Sequence, residues 1–274
     1  VLGLPGDGLI RLRVYLAYDG SGFHGWASQM EARSVQSEIE NTIGALIHQL
    51  DLPTIVAGRT DAGVHARAQV FHFDISRNHP QMNKLTAERI NKALPADIRI
   101  HKIEEAPYGF DARFSALWRE FPYTICDDHT GPAPLHRHEV VAWPVALDVD
   151  KLNEASQSLI GVHDFFAFCK EKPKTTTIRE VQRLEWHRNK DNYVVMTIRA
   201  DAFCYSMVRS VVGALLPIGD GRRPVTWTQH LLSQESKISH IQTMQAFPLV
   251  LERVGYPPDE ELFARQSETR ARRG

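Results

Sequence analysis

Three cysteines in 274 residues, Cys126, Cys169 and Cys204, are too few and too widely spaced for a disulfide framework. None stands in a C-x-x-C pair, so spacing excludes a zinc knuckle, and each reads as a small buried hydrophobe in a reducing cytoplasm. No apolar run approaches the roughly 20 residues that a membrane span needs. The opening stretch Val1–Gly8 has no basic segment followed by an apolar one, so no signal peptide is expected. It also lacks an initiator Met, which points to a trimmed N-terminus. Excess positive charge is missing as well: 32 Lys and Arg stand against 33 Asp and Glu, a formal net charge of −1. That balance argues against a nucleic-acid partner unless the cations are concentrated in one place. Candidates for such a concentration are Arg59 with Arg67, Arg113 with Arg119, and Lys170, Lys172 and Lys174.

What is present is the composition of an ordinary globular chain, 43% hydrophobic and 24% charged, long enough for one large or two small cores. Ile10, Leu12, Val14 and Leu16 alternate with polar or aromatic residues and predict a half-buried strand. Ser34 can cap a helix whose apolar stripe runs Val35, Ile39, Ile43, Leu46, Ile47 and Leu50. Strands at Thr54–Ala57 and Val70–Asp74, a helix at Thr86–Leu94 and a strand at Ile98–Ile103 complete a β-α-β-β-α-β order, the ferredoxin-like unit. Pro107-Tyr108-Gly109 marks a boundary between a domain of residues 1–108 and one of residues 109–264. The second round has strands near Arg113–Ala116, Phe121–Cys126 and Glu139–Trp143, and a helix near Val149–Ile160. A hairpin follows at Val181–Trp186 and Tyr193–Ala200, then a helix with stripe Val208, Val211, Val212 and Leu215. Residues 265–274 are expected to be a disordered basic tail.

Between the second and third predicted strands lies Gly58-Arg59-Thr60-Asp61-Ala62-Gly63-Val64-His65. A carboxylate on a tight turn between strands is fixed by the scaffold yet open to a ligand. By itself the pattern is equally what Asp does when it only hydrogen-bonds a turn.

Taken in order, the pieces Tyr18-Asp19-Gly20-Ser21-Gly22-Phe23-His24-Gly25-Trp26, Ser34-Val35-Gln36 and Gly58–His65 resemble the tRNA pseudouridine synthase A family. Phe110-Asp111-Ala112-Arg113-Phe114-Ser115-Ala116 and the stretch from Ala202-Phe203 through Met207-Val208-Arg209 to Val212-Gly213 continue the resemblance along nearly the whole chain. It implies an α+β fold of two ferredoxin-like halves with fused antiparallel sheet and a central catalytic cleft. It implies an isomerase that turns uridine into pseudouridine in the tRNA anticodon stem-loop (positions 38 to 40 in tRNA nomenclature). Such a reaction exchanges no electrons, so neither metal nor redox cofactor is called for. Asp61 would be the nucleophile or base, and Arg209 its counter-charge, since a neighbouring guanidinium favours an ionised carboxylate. An aromatic ring at position 121 would stack on the extruded base. Arg59, the Phe110–Phe114 segment (Phe110, Asp111, Ala112, Arg113, Phe114) and the loop Lys172-Pro173-Lys174-Thr175-Thr176 would contact RNA. The family also implies a homodimer, with tRNA as partner and no membrane.

The chain departs from the family at several points. Phe121 stands where Tyr is usual, which keeps the stacking face and loses the hydroxyl. Ala27, Tyr205-Ser206 and Ser210 also differ from the common residues, and these bear on substrate positioning. Three other readings compete. A metal hydrolase could draw ligands from Asp61, His65, His72 and Asp74, but an odd separation along a strand puts the two histidines on opposite faces. A non-catalytic RNA-binding module would show the stacked aromatics of a sheet motif, which are missing. A glycosidase needs two paired carboxylates, and Asp61 has no evident acidic partner.

Overall fold

The computed structural model describes residues 3–170, 176–234 and 241–273, the side chains of 272 and 273 excepted. The fold is α+β, with two sheets and six α-helices among the described residues. No helix among them is long and apolar enough to cross a membrane. The chain divides into one unit of Val1–Arg119 with Leu251–Gly274 and a second of Glu120–Val250. The sequence-based boundary at Pro107–Gly109 thus falls inside the first unit, which the C-terminal stretch rejoins.

The first unit runs β1 (Leu9–Tyr18), α1 (Val35–Ile47), β2 (Ile55–Val56), β3 (His65–Ser76), α2 (Ala87–Ala93) and β4 (Ile98–Glu105). β1 lies between β3 and β4, antiparallel to both, with Val14 opposite Phe71 and Ile103. Ser34 and Ser37 form a reciprocal capping box at the start of α1, and Thr86 caps α2 through Arg89 N–H. Val35, Ile39, Ile43 and Ile47 are the buried stripe of α1. The helix stops three residues before the predicted end of the stripe, because His48 takes a left-handed conformation at φ 58°. Gln49 N–H then caps the Gly44 carbonyl, and Leu50 is left 99% exposed.

Arg113–Ala116 is a turn and not a strand: the Asp111 carboxylate accepts from Arg113 and Phe114 N–H at 2.9 and 2.8 Å, and Ser115 N–H reaches Asp111 O. The stretch 265–273 is not a disordered tail: it belongs to a helix, α6 (Leu262–Arg273), and residue 274 lies outside the described residues. Its face Leu262, Gln266 and Thr269 is buried, Gln266 Nε2 donates to Gly109 O at 2.8 Å, and Arg270 pairs with the buried Asp111 carboxylate at 2.7 Å. Leu262 joins Phe110, Ala112, Val70 and Ala57 in one apolar cluster.

His72 in β3 sits inside this unit. Its Nδ1 accepts from Ala112 N–H at 3.0 Å, so Nε2 carries the proton. Burial, and then the Arg11 and Arg270 guanidinia, hold its pKa well below the ordinary histidine value. Below about pH 6.5 the unfolded chain therefore binds a proton that the native state refuses, and stability falls as pH falls. Urea melts between pH 7 and 5 are expected to show an acid slope steeper by about one proton in wild type than in His72→Gln. Parallel slopes would mean that His72 is charged in the native state.

The second unit contains β5 (Trp118–Cys126) from Glu120 onward, β6 (Val140–Ala142), α3 (Val149–Ser156), β7 (Gly161–Asp164), β8 (Ile178–Arg188), β9 (Val194–Ala200), α4 (Met207–Gly219) and α5 (Trp227–Leu232). Its sheet is ordered β5-β9-β8-β7, with β6 parallel to β5. The predicted hairpin is β8 with β9, Leu184 opposite Ile198, turned at Asn192 with φ 62°. Asn153 of α3 bonds both backbone groups of Trp186, at 2.9 and 2.8 Å, and locks helix to sheet. Cys169 and Cys204 form a disulfide, Cα atoms 5.7 Å apart, where their 35-residue separation predicts unpaired thiols. The loops before α4 and after β7 bring them together, with Lys170 N–H bonded to Tyr205 O. Cys126 is free and buried.

Candidate active site

The loop Gly58–Val64 leaves β2 and enters β3, strands that pair Ile55 with His72 and Val56 with Phe71. Ala57 N–H bonds Val70 O at 2.8 Å, and from there the chain rises into an irregular turn closed by Val64 N–H on Asp61 O at 3.1 Å. A second loop, Asp19–Trp26, clasps it. Trp26 N–H donates to Thr60 O and Gly63 N–H to Phe23 O, at 3.1 and 3.2 Å. The approach is close enough to demand glycine: a Cβ on Gly20 would lie 2.1 Å from Val64 O, and one on Gly25, at φ +90°, 2.7 Å from Thr60 O. The Asp19–Trp26 and Gly58–His65 motifs are thus packed against each other. Asp61 is half-buried and Arg59 is exposed.

Both histidines of the metal-hydrolase reading are engaged with backbone. His65 Nδ1 accepts from Gly20 N–H at 2.9 Å, while His72 Nδ1 takes the Ala112 N–H. Beneath the loop the sequence reading missed a buried polar chain. Tyr18 OH meets Thr60 Oγ1 at 2.7 Å, and Gln69 Nε2 reaches both Tyr18 OH and Gly58 O. Its only sequence signal is Gln69, a polar residue among the apolar positions of β3.

Of the segment matched to RNA contact, Phe110, Asp111 and Ala112 are buried in the first unit, whereas Arg113 is exposed and Phe114 half-buried. Arg113 and Arg270 lie over the Phe114 ring at 5.2 and 4.1 Å. Arg119 is buried and donates to Ala57 O and Arg113 O, and Arg67 pairs with Glu252, so neither is a simple surface cation.

The other candidates belong to the second unit. Phe121 on β5 is 8% exposed, and its ring meets Phe203 edge-on, centroids 5.3 Å apart. Arg209, at the first turn of α4, is half-buried where its neighbours Val208 and Ser210 are buried. Its Nε–H donates to Met244 O at 2.6 Å, and Met244 N–H returns to Arg209 O. Arg209 also opposes the rise that burial causes in the Tyr123 pKa. Thr176 is exposed, while Lys172, Pro173, Lys174 and Thr175 lie outside the described residues.

A family model described as tRNA pseudouridine synthase matches residues 155–257, the stretch that carries Arg209. Beyond it, proteins named tRNA pseudouridine synthase A match almost end to end. One from Streptomyces avermitilis is 44% identical over 272 residues, covering 97% of this chain and 95% of its own. The chain belongs to the tRNA pseudouridine synthase A family. A member from Frankia casuarinae is 45% identical over 268 residues, with 97% and 96% covered. One from Mycobacterium leprae is 43% identical over 274 residues, with 95% and 94% covered. Membership in the family rests on these full-length matches.

Proposed function

We propose that this protein isomerises uridine to pseudouridine in tRNA, with Asp61 acting at the ribose C1′ as nucleophile or base. The observation that carries the reading is the end-to-end match, at 44–45% identity, to proteins named for that activity. The reaction breaks the N1–C1′ bond, turns the uracil, and forms a C5–C1′ bond. C5 gives up a proton and N1 gains one, so atoms and electrons balance within the nucleoside. A carboxylate held on a rigid turn suits the work at C1′. Arg209 serves as its counter-charge, and Arg59, Arg113 and the loop of Lys172, Lys174 and Thr176 contact the RNA. The proposed targets are uridines of the anticodon stem-loop, and the active form is a cytoplasmic homodimer. The first unit reads as a ferredoxin-like half, supported by its element order and by β1 lying between β3 and β4.

Incubation of a uridine-containing tRNA transcript with the protein in chelator, followed by nucleoside analysis, tests the function. Pseudouridine should appear with no free uracil. Released uracil would indicate a glycosidase, loss of activity in chelator a metal enzyme, and unchanged RNA a binding module.

Phe121 is assigned the stacking role. Phe121→Tyr keeps the π face and should retain turnover within about threefold, whereas Phe121→Ala should lose about 1–3 kcal/mol of base stacking. Because the ring also meets Phe203, melting temperatures need to be measured in parallel. Normal turnover by a less stable Phe121→Ala would make the ring a core residue. Faster turnover by Phe121→Tyr would show that the phenol hydroxyl of the wider family contributes to the chemistry.

A further inference from the structure

The chemistry assigned to Asp61 needs its carboxylate in one place, and the main-chain clasp from Asp19–Trp26 holds only part of the loop's backbone. The remainder rests on the buried polar chain below it. Gln69, fully buried in β3, splits its amide: Nε2 donates to Gly58 O at 2.9 Å and to Tyr18 OH at 3.2 Å, and Oε1 accepts from Val70 N–H. The Tyr18 oxygen already accepts from Gln69, and its own proton needs a buried acceptor. Thr60 Oγ1, 2.7 Å away, is that acceptor. The order is therefore Gln69 to Tyr18 to Thr60, and Thr60 is the residue bonded to Asp61. Both ends of the chain grip the loop, at the Gly58 carbonyl and the Thr60 side chain. The partners come from β1 and β3, which are paired neighbours in the sheet, so the loop is registered to two hydrogen-bonded strands.

We propose that Tyr18, Gln69 and Thr60 are positioning residues for the isomerisation, fixing from below the peptide that carries Asp61. This rests on the assignment of Asp61 as the catalytic carboxylate. A general structural role would predict lost stability and normal turnover; positioning predicts lost turnover at temperatures where the fold is intact. Displacements of about 1 Å at a reacting group cost up to about a hundredfold. The Tyr18 phenol, its pKa pushed up to about 12 mainly by burial, keeps its proton throughout the assay range. Removing it should leave the shape of the pH–rate profile unchanged.

The test uses Tyr18→Phe, Thr60→Val, Thr60→Ser and the double variant Tyr18→Phe/Thr60→Val, on full-length protein and tRNA transcript well below each melting temperature. Tyr18→Phe and Thr60→Val should each lower kcat about tenfold or more, with KM for tRNA within about twofold. Thr60→Ser, which keeps the hydroxyl, should restore turnover. The double variant should be no worse than the poorer single, because both single changes remove the same Tyr18–Thr60 bond. A kcat within twofold of wild type in Thr60→Val overturns the proposal, and so do losses that multiply in the double variant. Thr60→Val carries the test if Tyr18→Phe fails to fold, since it is isosteric. Asp61→Asn is run beside them. If it is inactive while Thr60→Val is fully active, positioning alone fails. If Asp61→Asn turns over normally, the assignment of Asp61 fails and this proposal with it.

Discussion

Asp61→Asn is expected to abolish pseudouridine formation while leaving tRNA affinity within about twofold of wild type. The substitution preserves size and removes the anion, so what it deletes is charge and not shape. Loss of a general base costs about 10²–10⁴-fold, and loss of a nucleophile at least as much. Asp61 is half-buried on a turn whose backbone is held by Val64 N–H on its own carbonyl and by Trp26 N–H on Thr60 O. An amide of the same size leaves those bonds in place. Single-turnover assays with a preparation free of wild-type enzyme decide it. Turnover above a few per cent of wild type would remove Asp61 from the reaction.

Arg209→Ala should be nearly as damaging, with kcat reduced about a hundredfold, and Arg209→Lys should recover little. The guanidinium does two things at once. Its Nε–H is committed to Met244 O at 2.6 Å, which sets the side chain's direction, and its planar fork presents further donors from that anchor. Lysine supplies a charge without the fork and cannot use one nitrogen as anchor and others as donors. A fall in stability is expected in both variants from the lost Met244 contact, so kcat has to be compared at a temperature where each is folded. Healthy turnover by Arg209→Ala would make Arg209 a helix-anchoring residue of the second unit alone.

Much of the fold was legible because the signals are local. The alternation of β1, the Ser34 cap, the Thr86–Leu94 helix and the Arg188–Asn192 punctuation of the β8–β9 hairpin all depend on residues within a few positions of one another. Where the reading missed, the deciding contacts were distant. The C-terminal stretch has the charge of a solvated tail, yet Arg270 finds Asp111 159 residues away and Gln266 finds Gly109, and the stretch becomes a helix. The same Asp111 winds Arg113–Ala116 into a turn although those residues have the spacing of a strand. Cys169 and Cys204 give no motif in sequence because their pairing is set by two loops meeting.

The candidate site divides in the same way. Asp61 and Arg209 are identifiable in one dimension, since the short stretches that contain them have a characteristic order of residues. Family membership and the candidate positions Asp61, Phe121 and Arg209 follow from the sequence for that reason. Only the tertiary structure could say what holds the loop. Gly20 and Gly25 look like ordinary turn glycines until Val64 O and Thr60 O are seen to occupy the space a Cβ would need. Tyr18 and Gln69 read as routine strand residues until Thr60, 42 positions from Tyr18, completes their hydrogen bonds. Local sequence specifies local conformation and reactive groups; a buried hydrogen bond between distant residues exists only once the sheet has brought its strands into register.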